Sequence, residues 1–231
     1  MPFSEPDLTA LVLTLKLATV STVVLLIIGL PLAWWLARTE NRFKPLIETV
    51  IALPLVLPPT VIGFYLLLAF SPDNWLSNSW QSLFNSSLAF SFSGLVIGSV
   101  IYSLPFVVQP MQSSYERLDK LVLLTAASLG ANRIDCFINL VLPMTRRATI
   151  AAASLAFAHT MGEFGIVLMI GGNIPGETQV LSIALYDHVE SLQYDKAHVL
   201  ALTLLAFSFV SLLGIYATDR STGLLRRSGA R

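Results

Sequence analysis

The chain has 231 residues, 55% of them hydrophobic and only 12% charged, with a mean hydropathy of +0.72. A soluble globular domain carries about 25% charged residues, so composition excludes an ordinary soluble enzyme. The formal net charge of +0 gives no reason to expect nucleic acid or another polyanion as a partner, and the single cysteine, Cys136, excludes an internal disulfide framework.

A bilayer core needs roughly 20 apolar residues in a helix. Five segments meet this, at 9–35, 46–71, 88–110, 148–171 and 198–218. Hydrocarbon offers no partner to backbone polar groups, so such runs are expected to be helices. The expected fold class is therefore all-α, a polytopic membrane protein with one transmembrane domain over 1–231.

The first segment is much longer than a signal-peptide core and has no basic residues before it, which predicts a retained helix. Its one charge, Lys16, is placed near its start, where it can reach the headgroups. The second segment carries Pro54, Pro58 and Pro59. Proline removes a donor and kinks a helix, and three in six residues predict a broken helix of the kind that lines a pathway. On this reading Pro58, Pro59 and the adjoining Thr60 are pathway residues, and Ser103 of the third segment joins them as a hydroxyl donor.

The connection 111–147 is charged, with Arg117, Lys120, Arg133, Arg146 and Arg147. Within it Ile134, Phe137, Ile138 and Val141 fall at i, i+3, i+4 and i+7, the stripe of an amphipathic helix. Gly130 is placed to turn the chain between two helices, and Pro143 to begin the next element.

The fourth segment contains Glu163, with His159 one turn earlier. An ionisable group inside a span is a functional candidate by default. Glu163 is read as a buried structural or gating hydrogen-bonder with His159 as its candidate partner. The connection 172–197 is long and polar, with Pro175, Asp187, Glu190 and Asp195, and reads as a loop.

Lys and Arg divide unequally between the connections. Arg38, Arg42 and Lys44, the loop cations above, and Arg220, Arg226, Arg227 and Arg231 lie on one side, against Lys196 alone on the other. The positive-inside rule then places the N-terminus outside, and 111–147 and the C-terminus inside.

The run Leu124-Thr125-Ala126-Ala127-Ser128-Leu129-Gly130 is followed, after nine residues, by Leu140-Val141-Leu142-Pro143. Two small residues, a Gly four positions after the second and an apolar-x-Leu-Pro at this gap resemble the coupling loop of permease subunits of bacterial ABC importers. The resemblance implies the type I importer permease fold. It also implies contact with a separate ATPase subunit through Ala126, Ala127, Gly130, Ala131, Asn132, Arg133, Phe137, Leu142 and Pro143. Leu124 stands where that family usually has Glu, so a salt bridge carried by that Glu in relatives is not expected here.

Two further stretches narrow the resemblance. Leu53-Pro54-Leu55-Val56-Leu57-Pro58-Pro59-Thr60-Val61-Ile62-Gly63 is one. Gly162-Glu163-Phe164-Gly165 with Gly171-Gly172-Asn173-Ile174-Pro175-Gly176-Glu177-Thr178-Gln179 is the other. Together they are similar to the molybdate branch, with tungstate not distinguished. The family implies a multi-pass protein of the bacterial inner membrane, with a second copy of itself, two ATPase subunits and an extracytoplasmic molybdate-binding protein as partners. It implies no cofactor or metal.

Three alternatives compete. A sulfate or thiosulfate permease shares the coupling loop and Gly-Glu-Phe-Gly. An ion-coupled secondary transporter would need its own ion site, usually with an internal repeat, and neither is visible. An enzyme would need a catalytic set. His159, His188 and His198 are scattered, and H-E-x-x-H, G-x-S-x-G and the phosphate-binding G-x-x-x-x-G-K-[ST] are absent.

Overall fold

The computed structural model describes residues 4–228. In chain order the helices are α1 (Glu5–Arg38), α2 (Lys44–Val56), α3 (Pro59–Ala69), α4 (Trp75–Phe84), α5 (Phe92–Glu116) and α6 (Lys120–Ser128). There follow α7 (Arg133–Asp135), a π-helix (Cys136–Val141), α8 (Leu142–Met144), α9 (Arg146–Met161), α10 (Gly165–Gly171), α11 (Leu181–Glu190) and α12 (Tyr194–Ser228). Beyond Gly214 α12 is described as backbone only. Arg220, Arg226 and Arg227 are therefore placed on that helix and no further, and Arg231 lies outside the described residues.

Three helices are long and apolar enough to cross a membrane among the described residues: α1, α5 and the part of α12 up to Gly214. Two bent pairs, α2 with α3 and α9 with α10, raise the number of spans to five if each pair is one span. The expected second segment breaks as the prolines predict. Leu57 (ψ 140) and Pro58 (ψ 137) are extended, because a proline drives the residue before it out of the helical region. Pro59 then opens α3, where a missing donor costs nothing, and the two helices meet at 113°.

The fourth segment, expected as one helix over 148–171, is also broken. Gly162, Glu163 and Phe164 interrupt it, and the axis bends by 61°. The third span runs to Glu116, further than expected, which shortens the loop after it. The connection 172–197, expected as a loop, contains α11, whose Leu181 and Ile183 are fully buried. Its Asp187 is held by Asn173 Nδ2 (3.0 and 3.1 Å) and Gln179 Nε2 (2.9 Å).

α1 and α5 are the central pair, and each runs through two clusters of buried side chains. One gathers Leu25, Leu36, Val107, Met111, Tyr115 and Ala156. The other gathers Leu17, Phe70, Leu95, Ile166, Ile170 and Ile183. Lipid is as apolar as leucine, so close packing holds such helices together. Gly63 shows this: a Cβ there would lie 2.7 Å from Met169 Cβ, so only glycine lets α3 approach α10 this closely. Lys16 lies against the Phe92 ring, its Nζ 4.5 Å from the centroid. Val23, Ile27, Leu205 and Phe209 point outward, an apolar exterior that water would not tolerate over such an area.

Candidate functional site: a cavity between broken helices and a helical loop

The two breaks face each other. Between them lies a cavity of about 600 Å³, lined by Pro59, Thr60, Tyr102, His159, Glu163 and Gly165 among others. Of the residues expected in a pathway, Pro59, Thr60 and Glu163 meet here. Pro58 caps α3 immediately beside it. Ser103 is fully buried behind the cavity wall and reaches it only through its bonds.

Glu163 is 4% exposed and anchors a polar network. Ser103 Oγ donates to its Oε1 at 2.8 Å, and Ser99 Oγ donates to its Oε2. Ser103 Oγ also lies 2.8 Å from His159 Nδ1 and 3.3 Å from Thr160 Oγ1. His159 Nδ1 is 3.6 Å from Glu163 Oε1. The Glu163 backbone carbonyl accepts from Ser182 Oγ of α11. Burying a carboxylate is expensive unless its oxygens are bonded, and here two hydroxyls from α5 bond them. Glu163 thus ties α5 and α11 to the break between α9 and α10. His159 packs between Phe106 and Tyr102, with ring centroids 4.0 and 5.0 Å away.

Ser99, Tyr102 and Ser182 were not foreseen as site residues. Ser99 had a signal: it lies one turn before Ser103, as His159 lies one turn before Glu163, and the two pairs face each other.

The loop 117–147 is the second feature. α6 ends in a Schellman turn. Ala131 N–H donates to Ala126 O at 3.1 Å, Gly130 N–H donates to Ala127 O at 3.0 Å, and Gly130 has φ +94. Two residues on, Asn132 Oδ1 accepts from Ile134 N–H (3.0 Å) and Asp135 N–H (2.8 Å) and so caps α7. Gly130 ends one helix and Asn132 starts the next, which gives the gap between them its meaning.

Two expectations for this loop change. Pro143 does not begin an element; it sits in α8, directly after the π-helix. In an α-helix its ring would clash with the carbonyl four residues back, at Asn139, and that residue lies in the wider π turn. The expected stripe also divides. Val141 is fully buried and Phe137 packs near the Trp34 ring (6.0 Å), while Ile134 and Ile138 are 71% and 52% exposed. Leu124, Leu129, Asn132, Arg133 and Pro143 are exposed too, Ala126 and Leu142 less so. A groove of about 970 Å³ runs along the loop past Trp34, Trp35, Ala127, Ala131, Ile134 and Phe137.

Residues 29–228 match the model of the family described as the binding-protein-dependent transport system inner membrane component. The chain belongs to this family. Members of this inner-membrane family similar to the chain include the molybdenum transport system permease protein ModB of Azotobacter vinelandii. That relative is 51% identical, with 95% of this chain and 97% of the relative covered. The protein of the same description in Escherichia coli K12 is 32% identical, over 92% of this chain and 93% of its own. The sulfate transport system permease protein CysT of Escherichia coli K12 is also 32% identical, over 87% of this chain and 73% of its own. A crystal structure of a bacterial ABC transporter that imports the acidic polysaccharide alginate superposes with a TM-score of 0.76 at 16% identity, covering 94% of this chain and 80% of that one. At that identity the likeness establishes the fold and nothing beyond it.

Proposed function

We propose that the chain is the permease subunit of an ATP-driven molybdate importer, moving molybdate or the similarly shaped tungstate. The observation that carries this reading is the 51% identity to a molybdenum permease over nearly the full length of both chains. Molybdate is favoured over sulfate by that relative and by the extent of the matches: at the same 32% identity, the Escherichia coli molybdenum permease is covered over 93% of its length and the sulfate permease over 73%.

The permease pairs with a second copy, binds two ATPase subunits on its cytoplasmic face, and receives its anion from an extracytoplasmic binding protein. Arg38, Arg117, Arg133, Arg146 and Arg147 lie on the cytoplasmic side and the N-terminus outside, as the positive-inside rule directs. The loop 117–147 docks the ATPase: Ala126, Ala127, Gly130, Ala131, Asn132 and Arg133 form the turn, and Phe137, Leu142 and Pro143 form the helix that transmits its movement. The exposure of Ile134, Ile138 and Leu129 supports this, because a partner is needed to cover them. ATP hydrolysis belongs to that partner. Pro58, Pro59, Thr60 and Glu163 form the pathway wall and its gate, and Ser103 holds Glu163 from behind that wall.

The test is ATPase activity of the assembled complex in nanodiscs. Molybdate-loaded binding protein stimulates hydrolysis and the sulfate-loaded form does not. Stimulation by the sulfate-loaded form in preference to the molybdate-loaded form would move the substrate to the sulfate branch.

A further inference from the structure

The cavity must lower the energy of a tetrahedral dianion, yet the acidic group nearest to it is Glu163. Exposure resolves the conflict. The Glu163 side chain is 1% exposed and that of His159 is 23% exposed. An anion in the cavity therefore meets far more of the imidazole than of the carboxylate.

The hydrogen bonds then fix which edge of the ring it meets. An ionised carboxylate only accepts, so Ser99 and Ser103 both give their protons to Glu163. A hydroxyl has one proton to give. The 2.8 Å contact between Ser103 Oγ and His159 Nδ1 therefore has the proton on Nδ1. Nε2 lies across the ring from this network. It has no hydrogen-bond partner among the described residues and is not among the buried unpaired atoms. In the neutral ring Nε2 presents a lone pair, which an anion avoids. With a second proton it presents an N–H and a positive charge.

We propose that His159 is the oxyanion contact of this cavity, binding molybdate through Nε2–H as an imidazolium held from behind by Ser103 and Glu163. This rests on the molybdate reading above. Glu163 places a carboxylate oxygen 3.6 Å from Nδ1, on the network side of the ring, while keeping its own oxygens turned toward α5. Thr60 stands on the opposite wall, exposed, in the first turn of the eleven-residue α3, where its backbone N–H has no acceptor. Tyr102 is the other titratable group facing the ring, and Phe106 covers the remaining face. α1 and α12 also pack on α9 and bring no carboxylate within ion-pair distance of the imidazole among the described residues. The bound form carries the proton, so binding weakens as pH rises.

The experiment is ATP-driven molybdate uptake into proteoliposomes holding the permease, its ATPase and its binding protein, measured over a series of pH values. Assembly of each variant is checked by size exclusion first. His159→Asn keeps an N–H near the Nδ1 position and removes the cavity donor. His159→Gln places an amide N–H near the Nε2 position and cannot titrate. The expected results are a loss of about tenfold or more for His159→Asn, the scale of one hydrogen bond to a charged group, and retained but pH-flat uptake for His159→Gln. His159→Asn transporting like the native protein overturns the proposal. If that variant does not assemble, a His159→Gln protein with the native pH slope overturns it equally. A native complex that moves no molybdate at all overturns the functional reading first, and this inference with it.

Discussion

Ser103 donates its hydroxyl to Glu163 Oε1 at 2.8 Å, joining the middle of α5 to the break between α9 and α10. Neither residue packs by shape alone. Both are buried, and each is satisfied by the other.

Ser103→Ala leaves that carboxylate with one hydroxyl donor instead of two. A hydrogen bond to a charged group contributes about 1.5–3 kcal/mol, so the variant is expected to unfold in detergent at a clearly lower temperature. Ser103→Thr keeps the hydroxyl and recovers most of the loss. Equal unfolding temperatures for Ser103→Ala and the native chain would remove the network from the account.

Gly130 is needed for its backbone angle and not for space, since a Cβ there would meet nothing within 4 Å. At φ +94 a side chain costs about 1–2 kcal/mol. Gly130→Asp is expected to insert normally and to lose most co-purification with the ATPase. Gly130→Asn, which adds no charge and is the usual alternative to Gly at a left-handed helix end, retains more. Pull-down against the ATPase checks the order, and equal recovery of both variants would contradict it.

Asn132 Oδ1 holds two backbone amides at the start of α7. Asn132→Ala is expected to cost about 1 kcal/mol of local stability. Hydrogen exchange at Ile134 and Asp135 then speeds up about fivefold, while Asn132→Asp protects them as the native residue does. Unchanged exchange in the alanine variant would show that the partner-free loop is held by something else.

Gly63→Val forces α3 away from α10, because the added Cβ would lie 2.7 Å from Met169 Cβ and 3.3 Å from Ile166 Cα. The expected loss is about 1–3 kcal/mol, partly relieved by Met169→Ala. Thermal unfolding of the single and double variants measures both.

Much of this architecture is visible in the sequence where one residue dictates a local geometry. Pro58 and Pro59 announce the first break because they lack donors, and Gly130 announces the turn because no other residue adopts its angle so cheaply. The second break was missed, because Gly162-Glu163-Phe164-Gly165 lies in an apolar run and hydropathy averages over it. α11 was missed because its polar Asp187 and His188 mask the buried Leu181 and Ile183. His188 Nε2 in fact sits 2.8 Å from Asp7 Oδ1 of α1, a partner that sequence distance conceals. The stripe on the helix after Gly130 was counted at the α-helical period. A π turn inside it shifts the phase, leaving Ile134 and Ile138 outside and Val141 inside. The Glu163 network needed the fold to bring α5 against α9, although the paired one-turn spacings of Ser99 with Ser103 and His159 with Glu163 were present in the chain.

The most direct test of the central claim is uptake by the reconstituted complex, with permease, ATPase and binding protein in proteoliposomes supplied with ATP. The account predicts molybdate accumulation that requires ATP and resists a large excess of sulfate. Accumulation of sulfate in preference to molybdate, or no ATP-dependent uptake of either anion by a fully assembled complex, would contradict it.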